Sequence, residues 1–118
     1  MDPSKQNTAA KMRKVTRILA AFRDVDPGMT VIQALAFCYG ADPEIDSQRE
    51  VERRLGVSNA ASSRAATYWC QVTYPGRSSP GPLMLVQREL PEDRRYRTLA
   101  PNAKGIAFIH RLADIMEN

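Results

Sequence analysis

The residues best suited to chemistry lie in the middle of the chain, in the run Ser58-Asn59-Ala60-Ala61-Ser62-Ser63-Arg64-Ala65-Ala66-Thr67. Asn59, Ala60, Ser63, Arg64 and Thr67 are separated by three, four or seven positions, and on a helix such residues share one face. An arginine can donate two hydrogen bonds to guanine or hold a phosphate. Asparagine can pair with adenine, and serine and threonine can serve phosphates or bases. This face has the chemistry to read a nucleic-acid duplex, and Ser58 sits where it can cap the helix that carries it. The competing reading is a helix of small residues built for close packing, against which Arg64 argues.

A second basic group, Arg88, Arg94, Arg95 and Arg97, flanks the turn-forming Pro91-Glu92-Asp93. At such a turn Arg94 and Arg95 can enter a narrow minor groove, whose negative potential attracts arginine. Asp93 is expected to orient one of them by a salt bridge. The competing reading is a solvated hairpin tip. Lys5, Lys11, Arg13, Lys14, Arg17 and Arg23 crowd the first segment, with only Asp2 opposing them before Asp24. Lysine and arginine number 17 against 13 acidic residues, a formal charge of +4. That excess suits a polyanionic partner without proving one.

Catalysis and metal binding are not expected. The single histidine, His110, has no serine or cysteine nucleophile at a recognisable spacing. The glycines between positions 76 and 81 are too proline-interrupted for a phosphate loop and lack a following Lys-Ser or Lys-Thr. Cys38 and Cys70 lie in apolar stretches without Cys-x-x-Cys spacing, and both read as buried thiols, with no metal site and no cofactor. No apolar run approaches the roughly 20 residues that span a bilayer, and residues 1–10 lack a continuous apolar stretch. No membrane partner is expected, and the cytoplasm, bacterial or that of a virus-infected host, is the expected location.

These groups need elements to position them. With 118 residues, 43% hydrophobic and 25% charged, one domain with one core is expected. Met12, Val15, Ile18, Leu19 and Phe22 mark an amphipathic helix over residues 8–23, ended by Asp26-Pro27-Gly28. Thr30 offers a cap for a second, largely core helix over 31–40. A third helix is expected over 48–55, with Val51 and Leu55 inward. Gly56 then supplies a left-handed turn, Val57 anchors that turn in the core, and a helix over 59–72 is held by Trp69 and Val72. The proline- and glycine-rich stretch 74–82 cannot continue a helix. Residues 83–88 and 95–99 read as strands of a hairpin, and Pro101 suits the first turn of a last helix over 102–116.

Met29-Thr30-Val31-Ile32-Gln33-Ala34-Leu35, Val51-Glu52-Arg53-Arg54-Leu55-Gly56-Val57-Ser58, Ser63-Arg64, Glu92-Asp93-Arg94-Arg95 and Leu99-Ala100-Pro101-Asn102-Ala103-Lys104-Gly105 follow one another in a specific order. In that order they resemble the landmarks of the multiple-antibiotic-resistance regulator (MarR) family, over most of the chain from Thr8 onward. The resemblance implies a mainly α (α+β) winged helix-turn-helix in a single domain, 1–118. Within it, 8–24 and 102–117 are dimerisation helices, 47–72 the helix-turn-helix and 83–100 the β-wing. It implies a homodimer that binds double-stranded DNA as a transcriptional regulator, a repressor, and it allows an unidentified small-molecule effector. A winged helix used only for protein–protein interaction is the alternative. The chain departs from the family pattern in a longer loop after Tyr74 and a shorter strand after Arg95. It also has Ala100 where a capping threonine is common, a loss of ~1 kcal/mol to the last helix.

Overall fold

The computed structural model describes residues 2–70, 81–90 and 92–118, the side chains of Leu90, Asp93, Arg94 and Arg95 aside. Within these residues the chain is mainly helical with one small antiparallel sheet. Its elements are α1 (Pro3–Val25), α2 (Val31–Gly40), α3 (Gln48–Leu55), α4 (Asn59–Thr67), β1 (Leu85–Leu90), β2 (Asp93–Pro101) and α5 (Ala103–Glu117).

Local chemistry explains most of the helix ends. α1 starts ahead of its apolar stripe because Asp2 accepts the Ser4 N–H at 3.0 Å and Pro3 occupies the first turn, where its missing donor costs nothing. Thr30 and Gln33 form a reciprocal capping box on α2. Ser47 caps α3, Gly56 ends it in the left-handed region at φ 69°, and Ser58 accepts the Ala61 N–H at 3.2 Å to open α4. Val57, expected as an anchor for that turn, remains 38% exposed. Only Val51, Leu55 and Gln48 of α3 face inward.

α2 is less buried than expected. Ala36, Phe37 and Gly40 take the inward face, which leaves Val31 73% exposed and puts Leu35 and Cys38 on the outer side. Of the two thiols expected to be buried, Cys70 is; Cys38 is exposed as a residue, although partial desolvation still pushes its thiol above its ordinary value. Ala36, Phe37 and Gly40 together centre the inward face, and at about 100° per residue Cys38 falls roughly 150° from that centre, on the outer side.

α4 ends at Thr67, short of the expected 72. Thr67 turns its hydroxyl back onto the Ser63 carbonyl at 2.9 Å, and the Trp69 carbonyl accepts from Met84 N at 2.9 Å and Leu85 N at 3.0 Å. The chain is thereby drawn from the helix into a parallel bridge between Cys70 and Leu85. Trp69 is completely buried beside Phe37 at 4.8 Å, and Phe22 meets Phe108 edge-on at 5.0 Å. This aromatic cluster joins α1, α2 and α5 to the end of α4. Val72 and most of the proline-rich loop lie outside the described residues.

β1 pairs with β2 from Leu85↔Pro101 to Glu89↔Arg97, with an irregularity before Leu90↔Asp93. The second strand is longer than expected, running from Asp93 to Pro101. Pro101 closes the strand instead of opening the helix, and Asn102 is the cap. Its Oδ1 accepts Gly105 N at 2.9 Å, while its Nδ2 donates to the Leu83 carbonyl at 2.7 Å. The capping loss expected from Ala100 therefore does not arise. α5 returns along α1, where Arg111 pairs with Asp24 at 2.9 Å and Lys14 donates to the Met116 carbonyl at 3.0 Å. No described helix is long and apolar enough to cross a membrane.

Candidate nucleic-acid interface

Ser62, Ala65 and Ala66 are the inward side of α4. Burying three small residues fixes the rotation of the helix, and Asn59, Ala60 and Arg64 are exposed as a result. Ser63 and Thr67 lie half-buried at the margins of that face. Among the described residues no carboxylate lies within ion-pair distance of Arg64, and the residue is exposed. Three hydroxyls are already engaged. Ser58 caps the helix, Thr67 bonds its own backbone, and Ser63 makes a hydrogen bond to Glu52 of α3. The outward set is therefore narrower than the spacing suggested, with Asn59, Ala60 and Arg64 at its centre.

The hairpin is held beside this helix pair by two polar ties. Tyr96 donates to the Asp46 carbonyl at 3.2 Å, and Gln87 Nε2 donates to Gln48 Oε1. Arg88 and Arg97 are exposed on the two strands, Arg97 facing Glu89 across the sheet at 3.8 Å. The backbone of Asp93, Arg94 and Arg95 belongs to β2. The roles expected of those three side chains, including the salt bridge of Asp93, lie outside the described residues.

Where β2 passes α3 and α4 it encloses a cleft of about 520 Å³ lined by Ser47, Gln48, Arg49, Glu52, Ser63, Tyr96 and Arg97. Neither Arg49 nor Glu52 belongs to the groups whose residue types and spacing suggest chemistry. Their spacing on α3 was visible, but nothing in the sequence showed that β2 would cover them. Desolvation pushes the Glu52 carboxyl above its ordinary value of 4.5, opposed by the Ser63 hydrogen bond and by the charges of Arg97 and Arg49. Glu50, by contrast, accepts from Arg53 at 2.7 and 2.9 Å and from Arg54 at 3.0 Å, and those bonds hold it down at about 2. Arg53 and Arg54 thus share one anion, while Arg49 and Arg64 stand outside that cluster.

A second surface is apolar. Met12, Val15 and Leu19 of α1 are exposed in a helical stripe, Leu19 by 59%, and Ile106 and Met116 of the adjoining α5 are exposed as well, Met116 by 58%. Of α1, only Ala21 and Phe22 are buried within the chain. His110 is exposed on α5, and no group of three or more histidine, cysteine or acidic residues is placed to hold a metal ion among the described residues. Comparison with protein-family models, with curated proteins and with solved structures gives no match.

Proposed function

We propose that this chain is a sequence-specific, double-stranded-DNA-binding transcriptional regulator of the winged helix-turn-helix, MarR-like type, acting as a homodimeric repressor. The observation that carries the reading is the orientation of α4. Immediately after a left-handed glycine turn, the helix buries Ser62, Ala65 and Ala66 and presents Asn59, Ala60 and Arg64 outward. In this reading α3 and α4 are the helix-turn-helix, α4 enters the major groove, and the β1–β2 hairpin is the wing. Arg88 and Arg97, exposed on the two strands, put positive charge along the hairpin, suited to phosphates or to the minor groove, and the sequence adds Arg94 and Arg95 in β2.

The dimer half of the reading is supported by the apolar stripe on α1 and α5. A helix of 23 residues that buries two of them within its own chain keeps its apolar face in water unless another surface covers it. A second copy offers the same stripe and would bring two reading helices to one side of a duplex. A mobility-shift titration against random duplex at two salt concentrations tests the binding claim. Affinity that falls steeply with salt supports it, and absence of binding at low salt refutes it in favour of a protein-interaction role.

A further inference from the structure

Asp26 is the residue at which α1 stops, and Tyr68 is the residue at which α4 stops. The Tyr68 hydroxyl donates to Asp26 Oδ2, across 42 positions of sequence. Each partner is also fixed from its other side. Asp26 Oδ1 accepts Gly28 N at 2.9 Å, so the carboxylate cannot turn without losing that bond. The Tyr68 ring stands edge-on to Trp69 at 5.2 Å, and buried Trp69 donates its indole N–H to the Gln33 carbonyl at 2.6 Å. Gly81 closes on Tyr68 from behind, so tightly that a Cβ there would lie 2.0 Å from the Tyr68 carbonyl oxygen. Both residues lie apart from the outward face of α4 and from the apolar stripe of α1, so neither proposed surface accounts for them.

We infer that the hydrogen bond between Tyr68 and Asp26 sets the angle between α1 and the reading helix α4, and through it the half-site spacing that the dimer accepts. The second part rests on the DNA-reading proposal above. Geometry gives the scale. From Asp26 to Met12 the helix runs about 20 Å at 1.5 Å per residue, so a tilt of about 5° at Asp26 displaces the stripe by roughly 2 Å. Two copies double that to about one base-pair step of ~3.4 Å along a duplex. The titration of the pair is consistent with a phenol donating to a carboxylate throughout the neutral range. Asp26 is held below its ordinary value by Tyr68 and Gly28, and Tyr68 is pushed well above its own by burial and Asp26.

The test uses the full chain. Spin labels are placed at Arg13→Cys on α1 and Ala60→Cys on α4, both exposed positions, in a Cys38→Ser background, and labelled chains are diluted with unlabelled ones. Pulsed dipolar spectroscopy then reads the distance between α1 and α4 within one chain. Tyr68→Phe, which keeps the ring and removes the donor, is expected to shift or broaden that distance by 2 Å or more. Because Ala60 lies on the proposed reading face, duplex binding is measured on unlabelled chains with Ala60 intact: on inverted repeats of stepped spacing Tyr68→Phe is expected to lower the preference for the best spacing over its one-base-pair neighbours at least threefold, with random-duplex affinity unchanged. Asp26→Asn keeps Oδ1 for the Gly28 N–H, and its Nδ2 can donate to the Tyr68 hydroxyl oxygen, so a bond between the two side chains survives with its direction reversed and the parental distance and preference are expected to be kept. Asp26→Ala removes the acceptor from the other side and serves if Tyr68→Phe does not fold. An unchanged distance in a folded variant overturns the inference whether or not DNA is bound. A shifted distance with unchanged spacing preference overturns its second part. A shifted distance in a chain that binds no DNA upholds the tie and refutes the DNA reading instead.

Discussion

Replacing Gly56 by alanine isolates the turn on which the orientation of α4 depends. The glycine closes α3 at φ 69°, and a Cβ built there meets nothing within 4 Å. The cost is therefore one of backbone conformation, with no collision to relieve. Holding an L-residue in the left-handed region costs roughly 1–2 kcal/mol. Alanine also narrows the unfolded ensemble, which returns part of this, so a net loss of about 1 kcal/mol is expected. For a chain of this length that corresponds to a fall in Tm of roughly 3–6 °C. Thermal melts followed by far-ultraviolet circular dichroism, at matched chain concentration because the stability of the proposed dimer would depend on it, give the shift directly. A urea titration should show a lower midpoint at unchanged slope. Gly56→Asn should lose less, since asparagine tolerates this conformation better than alanine. An alanine variant as stable as the parent, or an asparagine variant less stable than the alanine one, would refute the left-handed turn as the device that sets α4.

Four further perturbations address the charges around the proposed interface. Glu52→Gln removes a carboxyl whose folded-state pKa is raised by desolvation, so its ionisation opposes folding as pH rises from about 4.5 through the folded value. The variant should show a flatter stability profile in urea titrations from pH 4 to 8 and bind random duplex more tightly, and a steeper profile would contradict the assignment. Glu50 behaves oppositely. Held at about 2 by Arg53 and Arg54, it supports the fold above its ordinary value of 4.5, and that support fades as pH falls toward 2. Glu50→Gln should erase this acid-side dependence and, by releasing two guanidinium groups, steepen the salt dependence of duplex binding by about one phosphate contact. Arg64→Ala should cost about 1–3 kcal/mol on a preferred sequence and little on random duplex, whereas Arg88→Ala with Arg97→Ala should weaken both alike. Competition mobility shifts separate the two patterns.

What could be read from the sequence is what neighbouring residues decide between themselves. Thr30, Gly56 and Ser58 act on backbone groups within three residues, and the structure places all three in the capping or turn role their chemistry suggested. α2 is harder to read because Gln33 is its one strongly polar side chain. Its pattern marks a helix but not which side lies inward, so Val31 and Cys38 emerged exposed. The end of α4 depends on Met84 and Leu85 reaching the Trp69 carbonyl, a contact between segments far apart in sequence. Pro101 is read from the sequence as the first turn of the last helix, and only its pairing with Leu85, a contact across the hairpin, makes it the end of β2 instead. At the candidate interface the exposure of Asn59, Ala60 and Arg64 was legible from helical spacing. The engagement of Ser63 by Glu52, and the cleft that Arg97 and Tyr96 complete, were not, because both require β2 to lie over α3.

Selection of bound sequences from a pool of random duplexes tests the central claim most directly. A homodimeric reader of duplex DNA is expected to enrich an inverted repeat whose half-sites lie about one helical turn, roughly 10 base pairs, apart or a multiple of it, and to lose that enrichment with Arg64→Ala. Recovery of no preferred sequence at low salt, or the same repeat enriched equally by Arg64→Ala, would contradict it.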